Sequence, residues 1–125
     1  MSTKSYVIAV IDDHHSVLIS VARLLSSLGY DTELYASAEE FLEAAKITKA
    51  FCLIVDVELP EKSGIELALH LANAGFTIPI ILMTAKTDDS LKMRAMQIGC
   101  AAFLPKPFSP NMLIQALSKL PCSLP

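Results

Sequence analysis

Short apolar runs and longer stretches with apolar residues every three or four positions alternate along this chain. Tyr6–Ile11, Phe51–Val55, Ile80–Met83 and Ala101–Leu104 are continuous or nearly continuous apolar runs of strand length. Such runs read as strands buried on both faces, with Phe51–Val55 the central one. Between them, Val17, Leu18, Val21, Leu24, Leu25 and Leu28 recur at helical spacing, which predicts a first helix over about Ser16–Leu28, closed by Gly29. A second strand is expected over Asp31–Tyr35. Ser37 begins a second helix, with Glu40 three residues on completing a capping box and Phe41, Leu42 and Ala45 on its buried face.

Ser63 or Gly64 opens a third helix that ends near Gly75, and Pro79 begins the fourth strand, a position that tolerates proline. A fourth helix spans about Asp88–Ile98, with Leu91, Ala95 and Ile98 inward and Gly99 at its end. Ser109 caps a fifth helix whose first turn accommodates Pro110; Met112, Leu113, Ala116, Leu117 and Leu120 form its core face. Pro121–Pro125 reads as a frayed tail or linker stub.

Five βα units in 125 residues predict an α/β fold with one doubly wound, five-stranded parallel sheet and helices on both faces. Crossovers are right-handed, and the flavodoxin-like order 2-1-3-4-5 is the expected one. The length suits one domain, residues 1–125 with a core at about 5–120. Apolar content is 53% and charged content 18%, and mean hydropathy is +0.49. These values match a sheet covered on both sides. No apolar run approaches the ~20 residues that span a bilayer, and no secretory leader is recognisable behind Met1-Ser2-Thr3-Lys4-Ser5, so a cytoplasmic location is expected. The net charge of −3 comes without a basic stripe, which argues against direct nucleic-acid binding. Cys52, Cys100 and Cys122 form no metal or redox motif and read as reduced thiols, the first two buried; Cys122 falls in the tail.

The polar residues that follow the apolar runs carry the chemistry. Asp12 and Asp13 follow the first strand, Asp56 the third, Thr84 the fourth and Lys106 the fifth. In an open parallel sheet the carboxyl ends of the strands converge on one crevice, where ligands bind. In the order 2-1-3-4-5 these four strands are adjacent, and the edge strand ending at Tyr35 contributes no such group. Three crowded carboxylates call for a hard cation, and magnesium is the natural one because it takes one or two carboxylates plus phosphate oxygens. Thr84 and Lys106 suit equatorial phosphoryl oxygens, and one carboxylate can be the nucleophile that forms an acyl phosphate.

Asp12-Asp13, Asp56 with Val57-Glu58-Leu59-Pro60 and Gly64, Thr84-Ala85 and Lys106-Pro107-Phe108 together resemble the signature of response-regulator receiver domains of two-component systems, proteins of CheY-like fold. The resemblance covers residues 5 to 120. Tyr35-Ala36-Ser37-Ala38-Glu39 and Ala102–Phe108 look most like FixJ/NarL-type receivers. The resemblance implies that Asp56 accepts a phosphoryl group from a sensor histidine kinase. It implies that Asp13 and Asp56 ligate Mg2+ (Mn2+ substituting), with Asp12 acting through water and the backbone carbonyl of Glu58 completing the set. Lys106 would pair with Asp56 at rest. Thr84 would turn inward to the phosphoryl group, and Phe103 would follow it as the switch aromatic. Lys106–Pro107 would be cis. The implied output is a changed helix 4–strand 5–helix 5 surface, used for homodimer formation or for transcription regulation through a C-terminal DNA-binding domain; a stand-alone receiver and a phosphate-independent pseudo-receiver are the alternatives. The chain is then a phosphoacceptor signalling domain and not an enzyme. An aspartyl phosphatase would want Asp where Glu58 stands, and a flavin carrier would want a hydroxyl-rich loop where Asp12-Asp13-His14-His15 stands.

Glu58 and Lys86 carry opposite charges two residues after Asp56 and Thr84; they read either as two solvated side chains at the mouth of the site or as a pair that closes across it and hinders the water that hydrolyses the acyl phosphate. His14 and His15 read as surface residues at a helix start, turned away from the site, and His70 as a surface residue. Met83 and Met112 read as core, Met93 and Met96 as candidates for partner contact on helix four.

Overall fold

In the computed structural model, which describes residues 6–86 and 88–120, strands and helices alternate five times. The strands are β1 (Val7–Ile11), β2 (Asp31–Tyr35), β3 (Ala50–Asp56), β4 (Ile80–Thr84) and β5 (Ala102–Pro105). The helices are α1 (His15–Ser27), α2 (Ala38–Ala44), α3 (Gly64–Asn73), α4 (Asp89–Gln97) and α5 (Pro110–Ser118). These bounds lie within one or two residues of those expected from the apolar pattern. The tail at Pro121–Pro125, with Cys122, lies outside the described residues.

All strands are parallel, in the order β2-β1-β3-β4-β5. The central strand β3 is buried along six of its seven positions, whereas β2, at the edge, contributes no buried residue. Successive side chains on each strand point to opposite faces, and the core divides accordingly. Ile8, Val10, Cys52, Ile54, Ile81, Met83 and Leu104 pack under α1 and α5, against Leu18, Val21, Leu25, Leu113 and Leu117. Ala9, Ile11, Leu53, Val55 and Leu82 pack under the helices of the other face, against Phe41, Ile65, Leu67, Leu71 and Ala95. Among the described residues no helix is long and apolar enough to cross a membrane.

Three local details differ from expectation. The reciprocal capping box forms at Ser63 and Glu66, where the sequence pattern suggested only a helix start. At Ser37 only half of the expected box forms. The Ser37 hydroxyl accepts from Glu40 N, but the Glu40 carboxylate reaches past Ser37 to accept from Ala36 N at 3.1 Å. Cys100 is half-buried rather than buried, because it lies beyond the end of α4 and ahead of β5. Met83 is buried, Met112 packs against the core, and Met93 and Met96 are 59% and 67% exposed.

Candidate functional site

The parallel register sets the strand ends level. Ile11 pairs with Val55, Asp56 with Met83, and Thr84 with Pro105. The residues that end these strands, or follow them directly, therefore meet at one rim of the sheet. Asp12 is fully buried there, its backbone N–H donating to the Tyr35 carbonyl at 3.1 Å. Asp56 is 1% exposed, and its Oδ1 accepts from the Glu58 N–H at 3.1 Å. Lys106 is tied to the rim through its backbone, which donates to the Thr84 carbonyl at 2.7 Å. Its Nζ lies 2.7 Å from Asp12 Oδ2 and 3.2 Å from Asp56 Oδ2. The Lys106–Pro107 bond is cis.

Gly64 lets the loop after β3 close over this rim. It donates to the Val57 carbonyl at 3.0 Å, and a Cβ added to it would collide with the Asp56 carbonyl oxygen. Only a residue without a side chain can approach the backbone of Asp56 so closely.

Burial raises the pKa of Asp56, and the Asp12 carboxylate raises it further; together they outweigh the Lys106 ammonium and the Glu58 N–H, which act the other way. Burial alone would lower the pKa of Lys106, but its hydrogen bond to Asp12 and the charges of Asp56 and Asp12 raise it overall. The site thus holds one ammonium against clustered carboxylates. Ligand atoms of Asp12, Asp13, His14 and Asp56 lie within 4.8 Å of one another. Three carboxylates at that spacing, short of positive charge, fit a small hard divalent cation that retains part of its water shell.

The structure brings Asp12, Asp13, Asp56 and Lys106 together as expected from strand order, and Lys106 pairs with Asp56 as expected, with one added partner and one change of partner. Lys106 is closer to Asp12 than to Asp56. The ammonium lies between two buried carboxylates, and one oxygen of Asp56 is already satisfied by the Glu58 N–H. Glu58 does not pair with Lys86 among the described residues. Its carboxylate turns inward, accepting from the Thr84 hydroxyl at 2.5 Å and from Ala85 N–H at 3.2 Å, and Lys86 stays exposed. Thr84 is fully buried, so its hydroxyl needs a partner inside the protein. Lys86 can be solvated at little cost. Phe103 is half-buried beside Leu82 and lines a cavity of about 200 Å3 with Asp88, Asp89, Lys92 and Pro105.

His14 belongs to the site, contrary to its reading as a residue turned away. Its backbone N–H donates to Asp12 Oδ1 at 2.8 Å, and its ring Nδ1 lies 3.2 Å from that oxygen and 3.3 Å from Asp13 Oδ1. The signal was available in the sequence. An Asp two residues ahead accepts the backbone N–H in an Asx turn, and that turn returns the ring toward the carboxylates. His15 and His70 are exposed.

Residues 8–118 match the family model for the response regulator receiver domain. The response regulator protein TodT of Pseudomonas putida is 34% identical over 117 residues, covering 94% of this chain and 52% of that protein. The transcriptional regulatory protein FixJ of Azorhizobium caulinodans is 38% identical over 114 residues, covering 91% and 54%. The chain thus spans about half the length of the curated relatives it matches. Among solved structures, FixJ-N superposes with a TM-score of 0.83 at 30% identity, covering 94% of each chain. The chemotaxis protein CheY4 of Vibrio cholerae gives 0.84 at 26% identity, covering 93% of this chain and 98% of that one.

Proposed function

The chain belongs to the response regulator receiver domains, and on that premise we propose that Asp56 is its phosphoacceptor, charged by a phosphohistidine on a sensor histidine kinase. In this reaction a carboxylate oxygen of Asp56 forms a bond to phosphorus as the nitrogen–phosphorus bond breaks. The electron pair leaves with the donor imidazole, and an acyl phosphate remains on Asp56. The observation that carries the reading is the placement of Asp56, 1% exposed, with Lys106 Nζ at 3.2 Å. Burial and the neighbouring Asp12 raise the pKa of this carboxylate in the metal-free protein, which marks it as the crowded anion of the site. Lys106 stands ready to balance charge on the transferred oxygens, and the backbone N–H of Glu58 orients the Asp56 carboxylate.

Asp13 and Asp56 are the proposed direct ligands of Mg2+, with Asp12 acting through water and the Glu58 carbonyl completing the protein ligands. When bound, the ion supplies positive charge that neutralises phosphoryl and carboxylate oxygens. Thr84 is the proposed hydrogen-bond donor to a phosphoryl oxygen, and Phe103 the residue whose position follows Thr84. The added phosphoryl group carries about −1.5 to −2 charges at neutral pH. That charge biases the surface formed by α4, β5 and α5 between two states. We infer that this surface supports homodimer formation, and that the output is control of transcription through a DNA-binding domain outside this sequence, in keeping with the name of the FixJ relative, a transcriptional regulatory protein.

Incubation with acetyl phosphate and Mg2+, followed by intact-mass measurement, tests the reading. The wild-type chain gains one phosphoryl group and Asp56→Asn gains none. A wild-type chain that takes up no phosphoryl group under conditions in which a control receiver does would overturn it.

A further inference from the structure

The Glu58 carboxylate occupies an anion site at the carboxyl end of β4. Its two oxygens are held by two different donors: Oε2 accepts from the Thr84 hydroxyl at 2.5 Å, and Oε1 accepts from the Ala85 backbone N–H at 3.2 Å. Thr84 Oγ1 also accepts from the Lys86 N–H at 3.0 Å. The hydroxyl has a single proton, and that proton is committed to Glu58. The backbone N–H of the same residue meanwhile holds Asp56 Oδ1. Glu58 therefore bridges Asp56 on β3 to Thr84, the last residue of β4, and Ala85 just beyond it, through its main chain on one side and its side chain on the other.

We propose that Glu58 is a positioning residue whose carboxylate stands in for the phosphoryl group in the resting protein. It holds the Thr84 O–H and Ala85 N–H donors until a phosphoryl group on Asp56 displaces it. This inference rests on the receiver reading. It follows from the geometry of the donors, since a hydroxyl and a backbone N–H that grip two oxygens of one carboxylate can grip two oxygens of a phosphoryl group in the same way. Both anions cannot use them at once. Resting Thr84 is thereby kept away from Asp56, and activation requires Glu58 to leave.

The test uses beryllofluoride with Mg2+ as the phosphoryl probe, on wild type, Glu58→Ala, Thr84→Val and the double variant. Removing the competing carboxylate tightens beryllofluoride binding about tenfold in the wild-type background, which corresponds to ~1.4 kcal/mol. In the Thr84→Val background the same change gains about threefold or less, because one of the two contested donors is already missing. Equal gains in both backgrounds would mean that only the negative charge of Glu58 matters, and would overturn the proposal, as would no gain at all. A second readout needs no phosphoryl chemistry. In metal-free protein the Ala85 amide proton resonance moves upfield in Glu58→Ala, and an unmoved resonance overturns the resting contact while leaving the receiver reading intact. Binding of beryllofluoride by none of the four proteins overturns the receiver reading, and the competition with it.

Discussion

Lys106 and Asp12 are separated by 94 positions in the chain and by 2.7 Å between Nζ and Oδ2. The same ammonium reaches Asp56 Oδ2 at 3.2 Å, so one positive charge is shared by two carboxylates that are almost wholly shielded from water. This arrangement is short of cations, and its behaviour under mutation, pH and added metal follows from that shortage.

Removing the ammonium leaves Asp12 and Asp56 facing each other without compensation. Breaking a fully buried pair costs roughly 3–5 kcal/mol. Lys106 retains 17% side-chain exposure, so Lys106→Met is expected to destabilise the metal-free protein by about 2 kcal/mol. Urea unfolding with and without Mg2+ checks this, and Mg2+ is expected to stabilise the variant more than the wild type. Equal stability of the two proteins in metal-free buffer would show that Lys106 does not balance the carboxylates.

Asp56 has a raised pKa in the folded protein, so the folded state holds this proton more tightly than the unfolded chain does. The contribution of Asp56 to metal-free stability is therefore greatest below the ordinary value of 3.8 and is lost as pH rises through the raised folded value. Asp56→Asn removes that loss. At pH 7 without metal the variant is expected to be more stable than wild type by about 1 kcal/mol, with the difference narrowing as pH falls toward 3.8. Urea midpoints measured across this range decide the point, and a difference that widens toward low pH runs against it.

A cation that binds the folded cluster and not the unfolded chain stabilises by mass action. At ten times its dissociation constant Mg2+ is expected to add about 1.4 kcal/mol, an increment that excess EDTA removes. Asp13→Ala, which deletes a carboxylate at the exposed side of the cluster, should raise the concentration of Mg2+ needed by about tenfold. Thermal unfolding at graded Mg2+ concentrations reads both effects, and an unshifted midpoint in Asp13→Ala would remove that residue from the ligand set.

Gly64→Ala places a methyl group against the Asp56 carbonyl oxygen and 3.0 Å from Val57 Cα. Both are backbone atoms that cannot rotate aside, so overpacking is expected to cost about 2 kcal/mol and to shift Asp56 within the site. The variant should take up phosphoryl groups from acetyl phosphate more slowly than wild type even at temperatures where it is fully folded. Wild-type rates in a folded Gly64→Ala protein would show that the close approach is not needed to hold Asp56.

Much of this protein was legible in its residues. Strand length, burial on both faces and the central place of β3 followed from apolar runs such as Phe51–Val55, because the period of a strand and the need to bury it are local properties. The convergence of Asp12, Asp13, Asp56 and Lys106 followed from strand order, because in a parallel sheet the polar residues after adjacent strands share one rim. Even His14 left a trace, as the second residue after an Asp that could turn the chain.

What only the tertiary structure decided was which groups take one another as partners. Opposite charges on Glu58 and Lys86 suggested a pair, but the buried hydroxyl of Thr84 and the N–H of Ala85 take the carboxylate instead. Lys106 pairs with Asp56 as expected, but it lies nearer still to Asp12, a second partner that strand order did not single out. Sequence alone determined the scaffold and the inventory of the site, since these depend on periodicity and on position along a strand. Side-chain partners depend on which polar groups the closed fold withdraws from water. A shielded hydroxyl or carboxylate must be satisfied within reach, while an exposed ammonium such as that of Lys86 is satisfied by solvent.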